Sequence, residues 1–408
     1  MRKISIISLF VVLSLVLCSC TKGGGSSIVI GPPPAGGNDD TGDNTGDGGN
    51  GGSGGGGGTQ ADDPTADDTP VLCTDIGQTP IVLAYYTENS SELPDVTLLT
   101  HINYAHGRFV NPSSGDGGIW IEKPEKMEKV LALKSKNPNL KVMLMIGGWG
   151  EKANGFSMMA RDPAKRTLFC TSVRDLLEQY HLDGVDIDWE YPGGGPSSND
   201  KSDYDSYNFN LVLKELRQTL GTSKIISYAS SATAGYVKWT GAMKYLDYVN
   251  VMTYDMGKPP YHNATLKRSS LTSNNSVEES VNKHADKGVP YNRQVLGVPF
   301  YGHGTDPYAA DVKFNEMAAI LAATSGTYAG KNKYHWDSVG KVPYLTDAAG
   351  TMLLGYDDAQ SVGYKGQFAV EKGMLGAMCW EYRHDDSNQT LLKALVTAIY
   401  GKASVIKE

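Results

Sequence analysis

The chain has 408 residues, with 37 Lys or Arg against 45 Asp or Glu, a formal net charge of −8 at pH 7. That balance argues against nucleic acid or another polyanion as a partner. Its five cysteines, Cys18, Cys20, Cys73, Cys170 and Cys379, form no CxxC pair, and none stands at metal-ligand spacing from a histidine, so no metal or organic cofactor is implied.

Residues 1–19 read as an export signal rather than as part of a fold. Arg2 and Lys3 are followed by an apolar run from Ile4 to Leu17 and then by small residues, and the run is too short to span a bilayer comfortably. Leu17-Cys18-Ser19-Cys20 resembles a bacterial lipoprotein processing site, with cleavage before Cys20 and lipid on its sulfur. An ordinary cleaved secretory peptide is the alternative, and either route takes the chain out of the cytoplasm. Thr21 after the cysteine favours, by resemblance, the outer membrane of a Gram-negative cell. The expected location is therefore exported and lipid-anchored at the outer membrane or cell surface, with no other membrane contact. Residues 20–73 read as a tether. Gly48 to Gly58 is nearly all glycine, and Asp and Thr supply most of the rest, so there is little to bury. About fifty such residues span roughly 40 Å root-mean-square.

Residues 74–408 carry the composition of a folded domain. Strand-like runs lie at Ile81–Tyr86, Leu99–Ala105, Lys141–Gly147, Gly184–Trp189, Ile225–Ala229, Tyr248–Thr253, Gln294–Phe300 and Leu375–Trp380. Helical stretches separate them. Asp162-Pro163 predicts a capped helix start, followed by a stripe of Leu168, Phe169, Val173, Leu176, Leu177 and Tyr180. Asp203 to Leu220 repeats the design and stops at Gly221, and Ser276–Ala285 and Asp386–Tyr400 are further helices. Strands alternating with helices over this length predict a (β/α)8 barrel. A doubly wound open sheet is disfavoured because no Gly-rich phosphate loop follows the first strand. Cys170 and Cys379 read as small buried hydrophobes.

The stretch from Leu182 to Pro192 reads Leu-Asp-Gly-Val-Asp-Ile-Asp-Trp-Glu-Tyr-Pro. On a strand, Asp186, Asp188 and Glu190 share one face, and Val185, Ile187 and Trp189 the other. Acids this close cannot all ionise cheaply, so at least one keeps its proton near neutral pH. A proton-holding carboxyl at the C-terminal end of a barrel strand is what a general acid for glycosidic cleavage needs. A solvated acidic run or a Ca²⁺ loop is the bland alternative. Interleaved Val, Ile and Trp argue against the first, and the lack of a Gly-punctuated oxygen-ligand loop against the second.

The spacing of Asp183, Asp186, Asp188 and Glu190, followed by Tyr191-Pro192, resembles glycoside hydrolase family 18, the chitinase family. Four further segments resemble that family's motifs in family order: Lys141 to Trp149, Met252-Thr253-Tyr254-Asp255, Gly297 to Gly302, and Gly376 to Trp380. The likeness covers nearly the whole globular part. It implies substrate-assisted, retaining hydrolysis. Glu190 is the acid and later the base, Asp188 orients the substrate acetamide, Asp186 shares a proton with Asp188, and Tyr254 hydrogen-bonds the acetamide oxygen. Tyr85, Gly148, Trp149, Tyr191, Met252, Asp255, Tyr301 and Trp380 are the expected substrate-binding residues, with Trp380 under the reacting sugar. Trp120 and Trp239 lie outside the motifs and are assigned to packing or a distal subsite, and the histidines to structural or surface roles.

Two departures from the family pattern stand out. Met145 occupies a position usually held by Ser, so Asp186 needs support from elsewhere, and His303 stands where Arg often follows. The segment Gly304–Leu354 is expected to form a trimmed lobe between the seventh and eighth strands, giving a shallower cleft and endo-type, weakly processive cleavage. The expected substrate is chitin or an oligosaccharide containing N-acetylglucosamine, acted on by a monomer. An endo-β-N-acetylglucosaminidase on N-glycans shares the fold, and a glycan-binding protein without activity is the third reading. The acid, Glu190, is present, which disfavours the third.

Overall fold

The computed structural model describes residues 63–195 and 201–406. The export signal, Cys20 and most of the expected tether lie outside the described residues. Eight parallel strands close into a barrel: Ile81–Thr87, His101–Phe109, Lys141–Gly148, Gly184–Trp189, Ile225–Ser231, Tyr248–Met252, Gln294–Pro299 and Gly376–Trp380. Closure is carried by the first strand, which pairs with the eighth at Ile81↔Gly376 and with the second at Leu83↔His101. These strands are buried on both faces almost throughout. That is why they read as continuous apolar runs rather than as alternating ones. The exception is informative: Asp186, Ser227 and Asn250, polar residues of three of these strands, point into the barrel and meet there.

The outer layer follows the capping signals. Asp162 accepts hydrogen bonds from the Ala164 and Lys165 amides at the start of Pro163–Gln179. That helix buries Phe169, Cys170, Val173 and Leu177, whereas Leu168, expected in the same stripe, is exposed. The next helix, Asp205–Leu220, ends at Gly221, whose φ of 63° closes it. Ser276 and Glu279 form a reciprocal capping box on Val277–Asp286. The last helix is Thr390–Tyr400, not Asp386–Tyr400. Asp386 lies outside it and binds the Thr390 amide at 3.0 Å and its hydroxyl at 2.7 Å. Between strands and helices, Trp189 stacks on Phe156 at 5.3 Å and meets Phe209 edge-on. The outward-facing half of the acidic strand is thereby locked into the helix layer.

The insertion after the seventh barrel strand, expected as a trimmed lobe, forms a five-stranded antiparallel sheet from Tyr301–Gly304, Asp311–Lys313, Lys333–Asp337, Val342–Thr346 and Met352–Gly355. It has its own small core of Tyr308, Val312, Met317, Ile320, Leu345, Leu353, Leu354 and Tyr356. Residues 63–73, expected in the tether, instead lie against the barrel. Asp63 accepts from Asn210 Nδ2 at 2.7 Å, Asp68 pairs with Lys214 at 2.7 Å, and the Val71 amide donates to the Lys244 carbonyl. The Cys73 amide donates to Asp247, which is itself in a buried ion pair with Arg217. Cys73, Cys170 and Cys379 are free thiols, the last two buried.

Candidate active site

Strand alternation places Asp186 and Asp188 inside the barrel mouth, with Glu190 one residue past the strand end. Asp186 is fully buried. It accepts from the Tyr85 hydroxyl at 2.8 Å, Ser227 Oγ at 2.5 Å and Asn250 Nδ2 at 3.0 Å. Burial raises its pKa to about 6, and these donors limit the rise. The support that Met145 does not supply therefore comes from the fifth and sixth barrel strands, through Ser227 and Asn250. Met145 is itself the cross-strand neighbour of Asp186 and fully buried.

Asp188 is 3% exposed, and its Oδ1 has no hydrogen-bond partner among the described residues. Burial, then Glu190 and Asp186, push its pKa well up. Glu190 is raised to about 7, by burial first and then by Asp255, while the Tyr191 hydroxyl and Lys152 act against the rise. Two carboxyls that hold their protons more tightly than free acids do, above a hydrogen-bonded third, make a proton-sharing site. Asp183, the first acid of the same spacing, does not join them. It faces the opposite end of the barrel, where it binds Lys134 Nζ at 2.6 Å and the Val142 amide at 2.7 Å. A cavity of about 590 Å³ lies at that end, between Asp75, Lys134, Lys141 and Asp183, away from the three acids.

The rest of the expected set gathers around the acids. Tyr85 meets Trp380 at 5.3 Å between ring centroids, and Tyr254 meets Tyr301 edge-on at 6.2 Å. Burial and the neighbouring Asp255, Asp188 and Glu190 hold the Tyr254 phenol well above its ordinary pKa, so it stays a donor. Gly297 leaves room for that ring, since a Cβ there would lie 2.9 Å from it. Asp255 takes a backbone φ of 57°, with its amide held by Asn263 Oδ1 at 2.7 Å. Tyr301 and His303 donate to its carboxylate at 2.5 and 2.8 Å. Met252 is buried at the end of the sixth barrel strand. Trp149 is 62% exposed beside Gly148, so its ring is not core packing. Trp239, by contrast, is buried, with its indole N–H on the Ala234 carbonyl.

Several residues of this site were not expected. Ser227 shares its strand with Ser230 and Ser231, and Asn250 lies in a run that is otherwise apolar and aromatic, so nothing local marks either of them. Tyr236 stacks on Tyr191 at 4.7 Å and 9°, from a loop with positive φ. His106, expected to be a structural or surface group, sits at the site, as does His303, expected only as a departure where Arg often follows the seventh-strand motif. His303 bridges Asp255 and Asp311, and although burial opposes its charge, the two carboxylates hold its pKa above the ordinary value. Lys152 is the cation that acts on both Asp188 and Glu190.

The chain matches the family model described as "Glycosyl hydrolases family 18" over residues 81–385, from the first barrel strand past the eighth. It is 37% identical to Chitinase A1 of Niallia circulans over 302 residues, which cover 64% of this chain and 43% of that protein. It is 29% identical to an endochitinase of Manduca sexta over 333 residues, 70% of this chain and 58% of that one. The chain thus spans about half the length of these curated relatives. Among solved structures, a family 18 N-acetylglucosaminidase from Paenibacillus barengoltzii superposes with a TM-score of 0.67 at 29% identity, covering 78% of this chain and 99% of that one. The chain belongs to the glycosyl hydrolases family 18.

Proposed function

We propose that this protein is a chitinase that hydrolyses β-1,4-linked N-acetylglucosamine chains internally, with retention of anomeric configuration. The observation that carries the reading is the buried Asp188 Oδ1, left without a partner beside a carboxyl that holds its proton to about pH 7. A buried acceptor costs free energy unless something donates to it, and the N–H of a substrate acetamide is such a donor. Glu190 protonates the glycosidic oxygen while the carbonyl oxygen of the same acetamide attacks the anomeric carbon. The bond to the leaving sugar breaks and an oxazolinium forms, with its positive charge facing Asp188. Asp186, held by three donors, shares the proton of the pair, and Tyr254 donates to the acetamide oxygen. Glu190, now ionised, takes a proton from the incoming water, and the second displacement restores the original configuration. Relatives named chitinase and endochitinase support the substrate class.

The N-acetylglucosaminidase name of the Paenibacillus protein supports a second reading, action on N-acetylglucosamine linkages other than those inside a long chitin chain, including the chitobiose core of N-glycans. Chitohexaose and a high-mannose glycoprotein, offered in parallel and followed by mass spectrometry, separate the two. The first reading expects mixed dimer, trimer and tetramer at the earliest times. An intact hexamer beside a deglycosylated protein supports the second, and a series led by disaccharide alone contradicts endo-type cleavage.

The lipid anchor is a further part of the proposal, resting on the Leu17 to Cys20 segment. Palmitate labelling of the expressed full chain, lost in Cys20→Ala, is the expected result. Labelling that survives the substitution, or never occurs, removes the anchor.

A further inference from the structure

Lys152 lies in the short turn Gly150–Ala153, which leaves the third barrel strand where Gly147 and Gly148 pair with Asp188 and Trp189 of the acidic strand. Its stem crosses Gly148, and a Cβ at that position would come within 3.0 Å of Lys152 Cδ. Gly148 therefore makes room for a lysine as well as for any sugar. The ammonium lies 3.1 Å from His106 Nε2, and His106 Nδ1 lies 2.8 Å from Glu88 Oε2. An ammonium has donors only, so His106 must be neutral, with its proton on Nδ1 and donated to Glu88. Both partners are buried, His106 to 1% and Glu88 to 4% exposure. The chain of contacts thus holds the Lys152 side chain against Gly148, the cross-strand neighbour of Trp189 in the acidic strand.

We propose that Lys152 is a positioning residue of the hydrolytic site, held by Glu88 and His106 so that its charge sets the pH range over which Asp188 and Glu190 work. The proposal rests on the hydrolytic reading above. The groups that face each member are consistent with it. Burial first, and then Arg108, lower the pKa of Lys152, and Glu88, Glu381 and Asp188 oppose them. His106 has Glu88 on one nitrogen and Lys152 on the other, and burial together with the Lys152 and Arg108 charges keeps it neutral. Burial would raise Glu88, but the hydrogen bond that His106 donates, with the Lys152 charge beyond it, holds the carboxyl below its ordinary value, so it stays an acceptor. Asp188 faces Glu190 and Asp186, Glu190 faces Asp255, and Lys152 is the cation opposing all three repulsions.

The test is the pH profile of kcat/KM on a fluorogenic chitobioside, for wild type, Lys152→Met, Lys152→Arg and Glu88→Gln. Lys152→Met is expected to move both limbs upward by about one pH unit, as loss of a neighbouring unit charge in a half-buried site does. Arg is expected to restore them, and Glu88→Gln to move them the same way by less. A uniform fall in rate with unmoved limbs would overturn the proposal, because a merely structural tie predicts that pattern. A carbon-13 titration of glutamate-labelled protein, with Glu190 assigned by Glu190→Gln, reads the same quantity without turnover. Its midpoint rises in Lys152→Met if the proposal holds and stays put if it fails, even if wild type cleaves no chitin substrate. Failure of the hydrolytic reading is then seen separately, as absent wild-type turnover.

Discussion

Asp186, Asp188 and Glu190 could be picked out from alternation alone, because a strand shows one face to the barrel mouth and the acids fall on it. What keeps them in place could not. Ser227, Asn250 and Tyr85 reach Asp186 from three other strands, and such contacts leave no trace in local spacing. Glu190 has consequences for stability as well as for rate. Its folded pKa of about 7 stands above the ordinary 4.5, so its protonated form stabilises the fold. That contribution is complete below about pH 4.5 and is lost as pH rises through 7. Glu190→Gln is therefore expected to lower kcat by about 10³ or more and to raise the unfolding free energy at pH 8 by about 2 kcal/mol. The gain should vanish near pH 4.5, and paired thermal melts at the two pH values measure it. Ser227→Ala removes one donor to Asp186. The acid limb of the rate profile, set by the proton-sharing Asp186–Asp188 pair, is expected to move up by roughly one unit, while the alkaline limb, set by Glu190, stays.

At the scale of elements, the eight barrel strands were legible to within a residue or two at most ends because buried parallel strands are continuous apolar runs. The last helix was placed too early since Asp386, a good capping residue, serves the Thr390 end from a turn outside it. Leu168 was misassigned to the buried stripe because a run of adjacent apolar residues does not say which side of the helix wins. The junction of the third and fourth strands makes the sharpest prediction. Gly147 has φ of 106°, and a Cβ there would lie 2.2 Å from the Asp188 carbonyl oxygen. Gly147→Ala meets backbone, not a side chain that can move, so a loss of about 3 kcal/mol or more is expected. Urea unfolding midpoints, or the absence of soluble protein, would show it. A midpoint within error of wild type would contradict the packing of these two strands.

For the whole molecule, the barrel was readable from the order of its runs, but its beginning was not. Residues 63–70 are rich in Asp, Thr and Pro and resemble the tether before them, and the apolar run that follows, Val71 to Cys73, is only three residues long. They are held by long-range hydrogen bonds and ion pairs to Asn210, Lys214, Lys244 and Asp247, which no composition rule detects. A chain starting at residue 74 leaves the buried Arg217–Asp247 region without this cover, and its melting temperature is expected to fall by a few degrees relative to one starting at residue 60. Equal melting temperatures would mean that the segment contributes nothing. The central claim, one proton-holding carboxyl working with the acetamide of the substrate itself, is tested most directly by proton NMR of chitohexaose in the first minutes of reaction. The account predicts that the new reducing ends appear as β-anomers with wild type and do not appear with Glu190→Gln. Initial α-anomers, or β-anomers produced equally well by the Glu190→Gln protein, would contradict it.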